Sequence, residues 1–194
     1  MIELRPLDVA ASVMAATLGP IDAATLADAL AVGRSQVSRA LTRSAAIGFL
    51  HPERTGRRVT YQAHGAALVE FLTYGIRYVF APSIGRLTRG VPTAHAAPIM
   101  ASRIHSVVGD TPVWPHPMGA ARGETLEPLH RCVPDAALRH PRFYDAMALI
   151  DSLRAGRARD RAVAAELLPV TLDAVDVIDH ALGTIHSRGR RRDP

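Results

Sequence analysis

Lysine is absent from this 194-residue chain: all 23 basic side chains are arginine, set against 18 acids, for a net charge of +5. Cysteine is nearly absent too. The lone Cys132 cannot form an internal bridge, which excludes a disulfide scaffold and fits a reducing compartment. Aromatic residues make up 5% of the chain whereas Ala alone supplies 33 residues, so a core of closely packed helices is expected. No apolar run reaches the roughly 18 residues of a membrane span; the nearest, 68–81, is interrupted by Glu70 and Arg77. Glu3 stands where a secretory leader carries basic residues. A soluble, cytoplasmic protein with no membrane partner is the expectation.

What is present is a strongly patterned first 80 residues. Pro6 opens a helix that runs through Ala10, Val13, Met14 and Thr17 to Leu18 and stops at Gly19-Pro20. Asp22 then caps a short helix over 23–30, whose Leu26 and Leu30 share a face. Ser35 is expected to cap a third helix over 36–46, with Val37 and Leu41 facing inward and Gly48 ending it. From Phe49 the period changes to two. Residues 49–51, a turn over 52–56, and 57–63 with Val59, Tyr61 and Ala63 on one side read as a hairpin with a basic tip. Residues 65–80 read as one longer helix striped with Leu68, Val69, Leu72, Ile76 and Val79.

Prolines break up the second half. Residues 81–98 lack periodicity and are expected to form a loop crossing between domains, with the boundary near 81. Beyond it the pattern predicts a helix over 99–108, a short strand over 112–114 and closing helices over 141–155, 157–168 and 172–185, parted by Gly156 and Pro169. Residues 115–134 carry no legible pattern, and the basic tail 187–194 is expected to be disordered. The division is thus 1–80, a mainly helical 81–186 and the tail, in a fold of the α+β class, mostly α.

The order helix, helix, turn, helix, hairpin, helix is that of a winged helix-turn-helix. The run Leu26-Ala27-Asp28-Ala29-Leu30-Ala31-Val32-Gly33-Arg34-Ser35-Gln36-Val37-Ser38-Arg39-Ala40-Leu41 is similar to the helix-turn-helix signature of bacterial transcriptional regulators. Small Ala27 lets the second helix cross the third closely, and Val37, ten residues on, fills the angle between them. Residues 7–80 resemble the MarR-like and related winged-helix regulators most closely. Many of those carry Gly where this chain has Ala31, with Gly33 two positions later, so a reshaped turn is expected. The resemblance implies that Arg34, Ser35, Gln36, Ser38, Arg39 and Arg43 of the third helix meet base edges and phosphates of double-stranded DNA. It further implies that Arg54, Arg57 and Arg58 of the wing meet the flanking backbone or minor groove.

Charge placement points the same way without the resemblance. Residues 33–58 hold six arginines and one acid, whereas 1–32 net −3 and 59–186 balance twelve arginines against twelve acids. Apart from a +3 tail, the excess sits on the third helix and hairpin, as phosphate neutralisation requires. Arg pairs bidentately with guanine and Gln with adenine. An arginine-rich helix pair is also an ordinary solvated face, and winged helices bind proteins as well; signature, hairpin and charge together favour DNA.

Other motifs are thin. His130-Arg131-Cys132 brings two ligand types close, without a CxxC pair or an HxxxH helix, and Glu127-Pro128-Leu129-His130 carries a proline where a metal-binding helix must be continuous. Residues 85–90 mimic the start of a phosphate loop, yet Val91-Pro92 stands where Lys and Ser/Thr are needed, and there is no GxSxG elbow. No metal, cofactor or enzymatic activity is expected. Arg154, Arg157, Arg159 and Arg161 read as a solvated junction screened by Asp151, Asp160 and Glu166. The leading expectation is a sequence-specific transcriptional regulator, a homodimeric repressor assembled through the 65–80 helix or the C-terminal helices. Two alternatives stand beside it: an autoregulating antitoxin whose C-terminal domain inhibits a partner toxin, similar in layout to AbiEi-like antitoxins, and a ligand-responsive regulator with a small-molecule effector pocket of about a few hundred Å3 in 81–186.

Overall fold

The computed structural model describes residues 3–104 and 111–174. Helices α1 (Pro6–Leu18), α2 (Ala23–Leu30) and α3 (Arg34–Ala46) precede hairpin strands β1 (Leu50–Thr55) and β2 (Arg58–Ala63), then α4 (Gly65–Tyr74), α5 (Ile76–Val79) and β3 (Ile84–Pro92). A 3-10 turn (Ala94–Ala96) leads to α6 (Pro98–Ala101), β4 (Val113–Pro115), β5 (Ala121–Leu126), α7 (Val133–Arg139), α8 (Pro141–Ala155) and α9 (Ala158–Thr171). The fold is α+β and mostly helical.

At its centre lies α1, buried on every side from Leu7 to Ala15. A helix with one apolar face would not be; here α2 and α3 pack on it and α8 covers what they leave, so buried residues from both halves of the chain form one continuous core. Its alanines let those neighbours approach closely. The one charge in this run, Asp8, is fully buried. It accepts the Arg5 N–H at 2.9 Å, and Arg43 of α3 donates to it from Nε at 2.8 Å and Nη2 at 2.6 Å. The Ser12 and Ser44 hydroxyls both donate to the Asp8 carbonyl oxygen, at 2.8 and 3.2 Å. These bonds fix α3 against α1.

Asp22 caps α2 as its position predicts, accepting the Thr25 N–H and hydroxyl at 2.9 Å each. The turn that follows differs from expectation. Ala31 itself takes the left-handed conformation, φ 51° and ψ 45°, while Gly33 is the N-cap of α3 with negative φ. Ser35 is therefore not the cap but a residue of the first helical turn. The hairpin is tighter than the sequence suggests: Pro52 to Thr55 belong to β1 and the turn is Gly56-Arg57, with Gly56 at φ 61°. On the edge of β2 away from β1, Tyr61 exchanges backbone hydrogen bonds with Ile21 at 2.9 and 3.2 Å, tying the hairpin to the α1–α2 connection.

The helix expected over 65–80 is broken at Gly75. Leu68, Leu72 and Ile76 are buried by α1, α8 and α9 of the same chain, so this stripe is not a free frame for a second copy. The expected loop over 81–98 contains β3, which pairs antiparallel with β5 over most of its length and with β4 at Gly90 to Pro92. Val113 then meets Thr125, closing the three strands on themselves. Closure needs glycine at two points: a Cβ on Gly90 would overlap the Trp114 carbonyl, and one on Gly123 the Thr111 carbonyl. β5 lies in the stretch without pattern, and α7 begins at its end. α9 runs through Pro169, expected to end it, and only Pro98 to Ala101 of the 99–108 helix is seen as helix. The 172–185 helix, beyond Ala174, and the tail lie outside the described residues, as do 105–110.

At the α8–α9 junction Arg157 and Arg159 are exposed as the sequence suggests, but Arg154, Asp151 and Asp160 are not the solvated groups expected. Asp151 is fully buried and accepts Trp114 Nε1 at 2.6 Å, Thr93 Oγ1 at 2.9 Å and Arg154 Nη1 at 2.6 Å. Arg154, its side chain 4% exposed, also donates from Nε to the Phe80 carbonyl at 2.8 Å. Burial pushes the Asp151 carboxyl above its ordinary value, while Arg154, Trp114 and Thr93 pull the other way. Asp160 is buried as well and caps α9 by accepting the Arg157 N–H at 2.9 Å.

Removing one member of a buried pair strands the other, so Arg43→Ala is expected to destabilise the fold by about 3 kcal/mol in urea denaturation. A loss under about 0.5 kcal/mol would show the Asp8 joint to be dispensable. Conversely, Ala31→Gly is expected to raise stability by about 1 kcal/mol by relieving the left-handed alanine, and a decrease would place the strain elsewhere.

Candidate nucleic-acid interface

Helix α3 buries Val37, Ala40, Leu41 and Ser44. At helical spacing, Ser35, Arg39 and Thr42 then stand opposite the buried row, with Arg34 and Ser38 on one flank and Gln36 and Arg43 on the other. Arg34, Ser35, Gln36, Ser38 and Arg39 are all exposed. Arg43 is not available in the same way. Its guanidinium is committed to Asp8, whose carboxylate holds its pKa above the ordinary value, so it serves the α1–α3 joint instead of the outer face.

On the hairpin Arg54, Arg57 and Arg58 are exposed, Arg57 in the turn and Arg54 facing Val59 across the ladder. Arg58 is turned back to the start of α2, donating to Asp22 Oδ2 from Nε at 3.2 Å and Nη2 at 2.7 Å. Arg34, Arg39, Arg54 and Arg57 have no ion-pair partner among the described residues. The Thr25 N–H and hydroxyl, with Arg58, hold the Asp22 carboxyl well down, at about 2.

The sequence reading missed residues from the second half that border this unit. Arg139 of α7 donates to the Asp28 and Ala29 carbonyls at 3.2 and 2.9 Å, satisfying the end of α2. His130 lines a crevice with Gln36 and Arg39, and Arg131 lines another with Gly33 and Gln36. No local signal could have found these contacts, which join residues about a hundred positions apart.

The weaker motifs resolve structurally. His130 Nδ1 lies 3.0 Å from Cys132 Sγ, burial pushes that thiol up to about 12, and no group of three or more potential ligands occurs among the described residues. Residues 85–90 are strand, not a phosphate loop. Between β3, β5 and the α8–α9 junction lies a cavity of about 190 Å3 that includes Ile84, Leu126 and Asp160. That is below the roughly 300–1,000 Å3 of small-molecule pockets, whereas an open hollow of about 360 Å3 between Leu87–Arg89 and Ala120–Arg122 falls within that range.

Because Asp22 titrates below its ordinary 3.8, its stabilisation is complete above about pH 4 and fades as the pH falls toward 2. The urea midpoint is expected to drop across that window in the wild type and to drop less in Asp22→Asn; equal slopes would remove Asp22 as a cause. No family model, curated protein or solved structure matches the chain, so its function rests on these residues and their geometry.

Proposed function

We propose that this chain is a sequence-specific, double-stranded DNA-binding transcriptional regulator in which α1 to α3 and the β1–β2 hairpin act as a winged helix-turn-helix of the MarR-like kind. One observation carries the reading. Helix α3 is held by a buried ion pair yet leaves an arginine-bearing face uncovered, beside a hairpin whose Arg54 and Arg57 are equally bare. Such a helix suits a major groove, with Arg39 and Ser35 outermost to meet base edges and Arg34 with the hairpin arginines to meet phosphates.

Repression follows from occupancy, since a bound protein blocks polymerase at its operator. Two copies would bind an inverted repeat with half-sites about 10 bp apart or a multiple of that. With Leu68, Leu72 and Ile76 used internally, the exposed Tyr74, Tyr78 and Val79 are the apolar surface this region leaves for a second copy.

The test separates base reading from phosphate neutralisation. Arg39→Ala is expected to lose about 1–3 kcal/mol of discrimination at one base pair of a selected sequence. Arg57→Ala should weaken selected and random duplexes alike and lower the salt slope by about one unit. Wild-type protein with no duplex affinity at low salt would sink the reading.

A further inference from the structure

Along the Gln36 flank of α3 the neighbours are the start of α1 and, from outside the first 80 residues, the segment between β5 and α7. Two crevices share Gln36 as a wall. One, of about 290 Å3, runs from Arg5 at the start of α1 past Arg39 to His130; the other, of about 260 Å3, lies between the α2–α3 turn and Arg131 and Cys132. The segment is anchored on both sides of Arg131. Leu129, Cys132 and Val133 are buried in the core, Arg139 grips the end of α2, and Asp135 accepts His116 at 2.9 Å.

We propose that Arg131, assisted by His130, is a DNA-backbone contact supplied by the second half of the chain, holding the phosphates that border the groove on the Gln36 flank of α3. This rests on the DNA-binding reading and adds to it a contact outside the helix-turn-helix and hairpin. Charge in the two crevices favours an anion there. Asp8 is occupied by Arg43, Glu3 reaches Arg5 only at 3.6 Å between two exposed side chains, and Asp135 is engaged by His116, which leaves Arg39 and the exposed Arg131 without an acid partner among the described residues.

His130 is prepared for the same role. Its Nδ1 accepts the Cys132 N–H at 3.3 Å, so the neutral ring carries its proton on Nε2 and can donate it outward. Burial and the adjacent Arg131 hold its pKa below the ordinary value, keeping the ring neutral at physiological pH. A phosphate contact of this kind sets the register of a helix on DNA and reads no sequence. Its anchoring matters because an arginine placed before binding loses less freedom when the phosphate arrives.

The whole chain and its Arg131→Ala, Arg131→Lys, Arg57→Ala and Arg159→Ala variants are titrated onto a labelled random-sequence duplex of about 30 bp, with Kd followed by anisotropy from 50 to 200 mM salt. Removing one phosphate contact lowers the salt slope by about 0.9, so over this fourfold range Arg131→Ala is expected to lose about three- to fourfold less affinity than wild type. Arg131→Lys should restore the slope. Arg159→Ala, the same charge change on the exposed start of α9, should keep it. The proposal is overturned if Arg131→Ala matches Arg159→Ala in Kd and slope while Arg57→Ala weakens binding. If the wild type binds no duplex at 50 mM salt, the DNA-binding reading itself fails and this contact falls with it.

Discussion

A carboxylate sealed inside a helix that is buried on every side constrains the rest of this molecule. Asp8 cannot stay charged in the interior without a partner, and the partner it has is Arg43, two turns or more into α3. Rotating α3 about its axis would strand both groups. The register of the helix is thereby fixed, and with it the outward direction of Ser35 and Arg39. Two apolar side chains of matching volume could hold the helices together as firmly, since a buried ion pair repays little more than its own desolvation. They would not impose a direction. A bidentate guanidinium–carboxylate pair has one good geometry, and a fixed direction is what the proposed placement of α3 in a groove requires.

A second buried acid does for the later part of the chain what Asp8 does for the first. Asp151 gathers Trp114 from β4, Thr93 after β3 and Arg154 from its own helix, and Arg154 reaches on to the end of α5. The helix that carries this joint, α8, is the one that covers α1. The two acids thus act on neighbouring helices of one core, and α7 adds a direct clamp on α2 through Arg139. The environment of α3 is set by both halves of the chain.

Legibility in the sequence follows from how local each cause is. Asp22 with Thr25, Pro6 before an alanine run and Gly48 after one act within a single turn, so α1, α2 and the end of α3 stand where the sequence places them. β3 was not legible because residues 84 to 87 and Arg89 are exposed on both faces, which erases the alternation that marks a half-buried strand. Asp151 and Arg154 have the spacing of any solvated helix pair; only the arrival of Trp114 and Phe80 makes them interior. The sequence groups Arg43 with the exposed residues of α3 for the same reason. Nothing near it in the sequence announces Asp8, 35 positions earlier. In the candidate interface the exposed arginines were legible from composition and order, while the wall formed by His130 and Arg131 depends wholly on tertiary packing.

The two oxygens of Asp22 divide their work in a way that bears on the hairpin. Oδ1 takes both the N–H and the hydroxyl of Thr25 and so caps α2, whereas Oδ2 takes only Arg58. In free protein the pair holds the tip end of β2 toward the start of α2 and restrains an exposed guanidinium. In the proposed complex a phosphate competes for Arg58 with one oxygen of a partly exposed carboxylate, a partner of modest strength. Arg58 can therefore pass to the DNA backbone without uncapping α2, because the bonds that cap the helix sit on the other oxygen. The hairpin gains reach at one side chain while the backbone link between Ile21 and Tyr61 keeps its strands in place.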